Sequence, residues 1–312
     1  MVARCATVAF QGIEVVEVDV QVQMSSGLPA FTVVGLPDKA VAESRERVRA
    51  ALSALGLALP PRRITVNLAP ADLLKEGSHF DLPIGCALLV AMGVLPADEI
   101  AGYTALGELA LDGALSPVPG VLPAAIGASA AGRGLICPEA QGGEAAWAGD
   151  IEVLAPASLL ALVNHFKGSQ VLTPPEPKMV ESAPGHGDLR DIKGQETAKR
   201  ALEVTAAGGH NLLMIGPPGS GKTLLANSLI GLLPQMSNGE ALEVAAINSV
   251  ANLTLEATAW RNRPIRTPHH SATSVALVGG GNKPSPGEIS LAHRGVLFLD
   301  ELTEFKAGVL DA

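Results

Sequence analysis

Aromatic residues make up only 3% of this 312-residue chain, too few for the base-stacking platform that a single-strand nucleic-acid binder needs. Cysteine is scarcer still. Cys5, Cys86 and Cys137 are odd in number and lack motif spacing, so neither a disulfide framework nor a zinc site is expected, and a reducing compartment fits. Positive charge is in deficit, with 22 Lys and Arg against 31 Asp and Glu and a formal charge of −9. The chain as a whole therefore exerts no attraction on a polyanion or an anionic lipid surface. Most of the deficit lies in residues 1–170, where 10 basic residues face 17 acidic ones; in residues 171–312 the numbers are 12 and 14. Any polyanion contact must then come from a local cluster in the second half. Long apolar runs are also missing. The longest, Ile84 to Leu95, is interrupted by two glycines, and a bilayer span needs about 20 residues. The opening MVARCATVAF has no apolar leader region with a cleavage site, so a soluble, cytoplasmic chain without a membrane partner is expected. Core material is plentiful: 47% of residues are hydrophobic and 17% charged, which excludes wholesale disorder and allows about two domains at roughly 150 residues each.

The periodicities divide the chain accordingly. Residues 6–36 alternate apolar and polar positions (Val16, Val18, Val20, Val22) between Gly12, Gly27 and Gly35, which reads as strands and hairpins. Residues 38–55 switch to helical spacing, with Asp38 as the cap and Val41, Val48, Ala51, Leu52 and Leu55 on one face. A strand at Ile64–Leu68, a buried helix at Leu82–Leu95, a hairpin at Tyr103–Leu115 around Asp112-Gly113, an Ala-rich helix at Pro119–Gly132, a strand at Gly134–Pro138 and a helix at Ala157–Phe166 complete an α+β domain over residues 1–167. Residues 168–188 hold four prolines and three glycines with almost no apolar periodicity, and so read as a linker. From 189 to 312 the order changes to helix (Thr197–Ala207), strand (Asn211–Ile215) and helix (Thr223–Leu233), an α/β grammar.

Gly216, Pro217, Pro218, Gly219, Ser220, Gly221, Lys222 and Thr223 spell G-x-x-x-x-G-K-[ST] between the strand and the helix, the context this phosphate-binding motif requires. Glycines let the backbone curl so that several N–H groups converge on phosphate oxygens, and the following helix start adds to this. Lys222 is expected on the β- and γ-phosphates of ATP, and the Thr223 hydroxyl on Mg²⁺. Downstream, Gly295–Phe305 (GVLFLDELTEF) reads as a buried central strand ending in Asp300 and Glu301. Asp300 is expected to complete the Mg²⁺ shell, and Glu301 to orient and polarise the attacking water.

The strings DIKGQETAKRALEVTAAGGHNLLMIGPPGSGKT and RTPHHSATSVALVGGGNKPSPGEISLAHRGVLFLDELTEF resemble the ComM/YifB family of AAA+ ATPases, which are magnesium-chelatase-like. The resemblance runs from residue 2 to the last residue. It implies a first domain similar to the Lon protease C-terminal fold (ribosomal S5 domain 2-like), followed by a P-loop AAA+ module. It further implies a hexameric ring of identical subunits that couples ATP hydrolysis to DNA branch migration in natural transformation. Ile192, Gly194 and Gln195 would then lie near the adenine. His269 to Gly287, with Lys283, would form an insertion facing the ring pore. Arg261, Arg263 and Arg266 are the densest basic cluster of the second half, and without the resemblance they read as a solvated loop face. Adjacent His269 and His270, with no third ligand nearby, read as packing or hydrogen-bonding residues.

Lon-type peptidases place a serine where this chain has His79, within Leu74–Asp81, and a lysine where it has Pro123. Proline cannot act as a base, and a rearranged pair of Ser78 with Lys75 is a poor substitute, so no peptidase is expected. The chain stops eleven residues after Glu301, whereas the resemblance implies a sensor-1 residue, an arginine finger, a second sensor and a helical lid beyond that point. It also implies the strand order 5-1-4-3-2 with strands 4 and 5 outside the chain. The AAA+ part is therefore expected to be incomplete at the C-terminus, with Asn211–Ile215 and Val296–Leu299 short of partners, marginal in stability and binding ATP at best. A chelatase-type remodelling ATPase and a non-enzymatic interaction module are the alternative functions.

Overall fold

The alternating valines lie in a long hairpin, β1 (Val2–Gln11) and β2 (Glu14–Ser25), in the computed structural model, which describes residues 2–177, 188–253, 260–281 and 284–311. Gln11 pairs with Glu14 across Gly12-Ile13, and nine further residue pairs continue from there. Val18, Val20 and Val22 point inward and are buried, as the period of two dictates. β3 (Ala30–Val34), α1 (Lys39–Ala54) and β4 (Arg63–Ala69) follow, with β3 parallel to β4 and β4 antiparallel to β2. Asp38 caps α1 by accepting from the Val41 N–H at 2.7 Å, and Val41, Ser44, Val48, Ala51 and Leu52 form its buried stripe. α2 (Asp81–Ala91) is buried along nearly its whole length, so its sequence is apolar on every side.

α3 (Ala97–Ile100), β5 (Tyr103–Ala105), the small hairpin β6 (Glu108–Leu109) and β7 (Leu115–Ser116), α4 (Val121–Ala130), β8 (Gly134–Ile136), α5 (Gly142–Ala145), β9 (Val153–Leu154) and α6 (Leu159–Phe166) complete this unit. The seven-stranded sheet runs β3-β4-β2-β1-β5-β8-β9. Cys5 and Ala9 of β1 join the core beneath α1 and α2, whereas Val8 packs with Val121, Ala124 and Ala128 of α4. Adjacent strand positions thus bury opposite faces, and the middle of the sheet has helices on both sides. Among the described residues of this sheet only β1-β2 and β2-β4 are antiparallel, and β3 is parallel to β4, so the expected α+β arrangement of hairpins is corrected to a mixed α/β sheet. β5, β8 and β9 are likewise parallel to their neighbours. Tyr103–Ala105 therefore belongs to the main sheet, and the expected hairpin shrinks to β6 and β7. All three cysteines are buried thiols, and burial raises the Cys137 thiol.

The chain divides into two units, Met1–Lys178 with Ser249–Leu253, and Met179–Asn248 with Thr254–Ala312. The second contains α7 (Glu196–Gly208), α8 (Lys222–Ser228), α9 (Asn238–Val250, less its last two residues), β10 (Ile265–Arg266), α10 (Ser274–Val278), β11 (Gly279–Gly280), β12 (Ser285–Pro286), α11 (Glu288–Leu291), β13 (Val296–Leu297) and α12 (Ala307–Leu310). Its described ladders are two pairs, parallel β10-β13 and antiparallel β11-β12. No helix among the described residues is long and apolar enough to cross a membrane.

Candidate functional site

Residues 211–215 form no ladder among the described residues, which corrects the expected strand there. A strand exists only where a neighbour takes up its N–H and C=O groups. Met214 alone of this stretch packs on the apolar cluster of Leu189, Ile192, Leu202 and Leu225, while Leu213 and Ile215 are 68% and 89% exposed. The segment nevertheless delivers the chain into the loop at Gly216.

The loop is shaped as its composition demands. Gly219 and Gly221 have φ of +76° and +83°, a region that side chains with a Cβ rarely occupy. A Cβ on Gly216 would stand 3.1 Å from the Ser220 hydroxyl, so that position is tight as well. Ser220 Oγ is buried and has no partner among the described residues. Lys222 lies at the start of α8 and folds its ammonium back over the loop, donating to the Gly216 carbonyl at 2.9 Å and the Pro217 carbonyl at 3.0 Å. Among the described residues, the N–H groups of Gly221, Lys222 and Thr223 donate to no backbone carbonyl, leaving a set of unused donors at the turn. The expected helix Thr223–Leu233 is shorter: α8 stops at Ser228 and a 3₁₀ turn, Ile230–Leu232, follows.

The second motif meets the first. β13 lies parallel to β10, and the ladder is extended by Val296 N–H to Pro264 O and Phe298 N–H to Arg266 O, both at 2.8 Å. Among the described residues, the expected central strand is thus corrected to a half-buried segment paired with β10 alone, so it is not partnerless. It carries Asp300 to α8, where the Thr223 hydroxyl donates to Asp300 Oδ2 at 3.1 Å across 77 residues of sequence. Asp300 Oδ1 accepts from the Glu301 N–H at 3.0 Å. Glu301 itself has φ +53° and an exposed carboxylate, 3.5 Å from His270 Nδ1. His270, read from the sequence as a packing or hydrogen-bonding residue, therefore belongs to the site; its ring also lies tilted against that of His269, with centroids 4.0 Å apart. Gln195 reaches the same loop, its Nε2 donating to the Ser220 carbonyl at 3.1 Å. A hydroxyl and a carboxylate of this kind are the hard oxygen donors that Mg²⁺ takes together with water and phosphate oxygens. Among the described residues, no group of three or more His, Cys, Asp or Glu could hold a metal without such help.

The arginine trio is not a solvated face. Arg261 Nε donates to Met236 O at 2.8 Å. Arg263 donates to Pro234 O at 2.8 Å and Arg294 O at 2.7 Å. Arg266 makes a two-pronged pair with Glu288 at 2.5 and 2.8 Å, which holds the Glu288 carboxyl below the usual range. These side chains tie the loops around β10 and β13. Lys283 lies outside the described residues, as do residues 178–187 of the expected linker.

In the first unit the peptidase-like positions are engaged internally. His79 is buried against Phe10 and Phe80 and its Nε2 contacts Val8 O at 2.9 Å. Ser78 donates to Glu108, the buried Lys75 ammonium donates to Pro70 O, and Pro123 is buried in α4.

Comparison with known proteins supplies the family. The magnesium chelatase, subunit ChlI, family matches residues 188–312, and the subunit ChlI of Mg-chelatase family matches residues 20–141. YifB of Escherichia coli is 50% identical over 306 residues, covering 98% of this chain and 60% of that protein. YifB of Salmonella typhimurium is 48% identical over the same coverage. Competence protein ComM of Haemophilus influenzae is 48% identical over 309 residues, covering 97% of this chain and 61% of that protein. The chain thus spans about 60% of the length of the curated relatives it matches. With this identity along nearly all of its residues, the chain belongs to the ComM/YifB family of magnesium-chelatase-like proteins.

Proposed function

We propose that the chain binds ATP with Mg²⁺ at Gly216–Thr223 and Asp300. The single observation carrying this reading is the contact between the Thr223 hydroxyl and the Asp300 carboxylate, which brings the phosphate loop and the acidic pair into one site. The unused N–H groups at Gly221, Lys222 and Thr223 suit phosphate oxygens, and the Lys222 ammonium can exchange two loop carbonyls for stronger charge-assisted bonds. Thr223 and Asp300 would hold Mg²⁺, which supplies charge neutralisation at the phosphates. Glu301, with its exposed carboxylate beside His270, would orient a water. In the longer relatives this site would power an AAA+ ATPase that assembles as a ring of identical subunits in the cytoplasm and moves DNA strands, consistent with the competence role in the name of the Haemophilus influenzae relative.

Titration calorimetry of the chain with Mg·ATP and Mg·ADP tests the binding step. Heat of binding is expected for both, with a loss of about 100-fold or more in affinity for Lys222→Ala, since the loop loses its ammonium. No heat from folded, unaltered protein, or equal affinity in the variant, removes the assignment. The family descriptions favour a second reading, a chelatase-type remodelling ATPase. A gel shift with branched DNA supports the first reading if the DNA is retarded and the second if it is not.

A further inference from the structure

We propose that Gln195 is a positioning residue for the phosphate loop, acting through the Ser220 carbonyl. The inference rests on the nucleotide-site reading above and gives Gln195 a task other than contact with a base. The peptide linking Ser220 to Gly221 is planar and trans, so its C=O and N–H point in opposite directions. Holding the Ser220 oxygen at 3.1 Å from Gln195 Nε2 therefore sets the direction of the Gly221 N–H, one of the unused donors of the turn. Neighbouring features mark the contact as built. Gly194 and Gln195 are successive left-handed residues, at φ +74° and +60°. For a residue with a side chain that backbone is strained, and it persists only when the surroundings hold it. On one side of this turn Ile192 is buried in the cluster shared by Leu202 of α7 and Leu225 of α8. On the other side α7 begins at Glu196. The amide thus spans from the start of one anchored helix to the loop that opens the next, and it aims a loop that otherwise has glycines at its corners.

Gln195→Glu keeps the length of the side chain and removes the donor. Gln195→Gly removes the side chain and accepts the left-handed backbone without strain. Calorimetry with Mg·ATP, Mg·GTP and Mg²⁺ with inorganic tripolyphosphate separates the possible roles. A positioning residue predicts that both variants lose affinity for ATP and for tripolyphosphate by the same factor, about five- to tenfold, with the ATP-to-GTP ratio unchanged. In nucleotide-free protein, the hydrogen-bonded amides of Ser220 and Leu225, which donate to Pro217 O and Gly221 O, should exchange hydrogen faster in both variants, with α7 exchange unaltered. Loss of ATP affinity with tripolyphosphate affinity intact would overturn the proposal in favour of a base contact. Unchanged affinities and unchanged exchange would overturn it outright. If the unaltered chain binds neither ATP nor tripolyphosphate, the proposed function fails, and the exchange comparison still decides whether Gln195 holds the loop.

Discussion

Lys75 and Lys222 both donate to backbone carbonyls, and the contrast between them is the contrast between the two units. Lys75 is wholly buried in the first unit, and burial holds its pKa below the ordinary lysine value. Lys222 lies on an exposed loop of the second unit, its ammonium shared between two loop carbonyls that a better acceptor can replace. The same difference separates Asp81 from Asp300. Asp81 has no exposed side-chain surface and is saturated by Arg47 Nε at 2.6 Å, Arg47 Nη2 at 3.0 Å and the Leu109 N–H at 3.2 Å. Asp300 is exposed and holds a hydroxyl and one N–H. Lys75 and Asp81 are built into the core of the first unit; Lys222 and Asp300 stand at a surface of the second with exchangeable partners. Residue type alone therefore does not identify a site. Burial and the supply of fixed partners do.

The largest effect that could break this comparison lies at the buried pair. Arg47→Met strands the Asp81 carboxylate in the core, and a loss of about 3–5 kcal/mol of stability is expected, read as faster hydrogen exchange in α2. A loss below about 1 kcal/mol would mean the pair is a surface feature. Next is pH. Burial lowers the His79 pKa from 6.5 to about 4. Between those values the unfolded chain binds a proton that the folded chain does not, so stability rises with pH across this window. The contribution is complete above pH 6.5, and about 3 kcal/mol disappears as pH falls to 4. Denaturant melts of the unaltered chain and His79→Gln across that range should diverge at the acid end only if this is correct. In the second unit, Thr223→Val keeps the shape of the side chain and removes the hydroxyl facing Asp300. The gain in ATP affinity on adding Mg²⁺ should shrink about tenfold, a difference of roughly 1.4 kcal/mol, while magnesium-free binding stays the same. The smallest effect is expected at Ile215, 89% exposed: Ile215→Thr should shift stability by no more than about 0.5 kcal/mol. A larger loss would show that residues 211–215 are packed in solution.

Much of the first unit is legible in residue spacing because its signals are local. The β1–β2 hairpin follows from alternation, α1 from Asp38 and its apolar stripe, and α2 from an apolar run too short to be anything but core. The parallel pairing of β5, β8 and β9 was not legible, since strands of two or three residues carry too little pattern to declare their neighbours. At the site, the glycine loop and the acidic pair stand out by type and spacing. The strand Asn211–Ile215 reads equally well and does not form. Its apolar composition expresses what it could do beside a partner, and a ladder is a property of two segments.

Sequence by itself determined which residues can curl around phosphate, which carboxylates end a hydrophobic stretch, and where the chain changes from one grammar to another. These follow from backbone freedom at glycine and from periodicities of two and 3.6 residues. Tertiary structure decided the rest: that Thr223 meets Asp300, that Arg261, Arg263 and Arg266 serve as internal ties, that His270 stands beside Glu301, and that Gln195 holds the Ser220 carbonyl. Each of these joins groups far apart along the chain or on different loops. Such a contact exists only because buried side chains elsewhere set the backbone positions, and no local pattern records that distance.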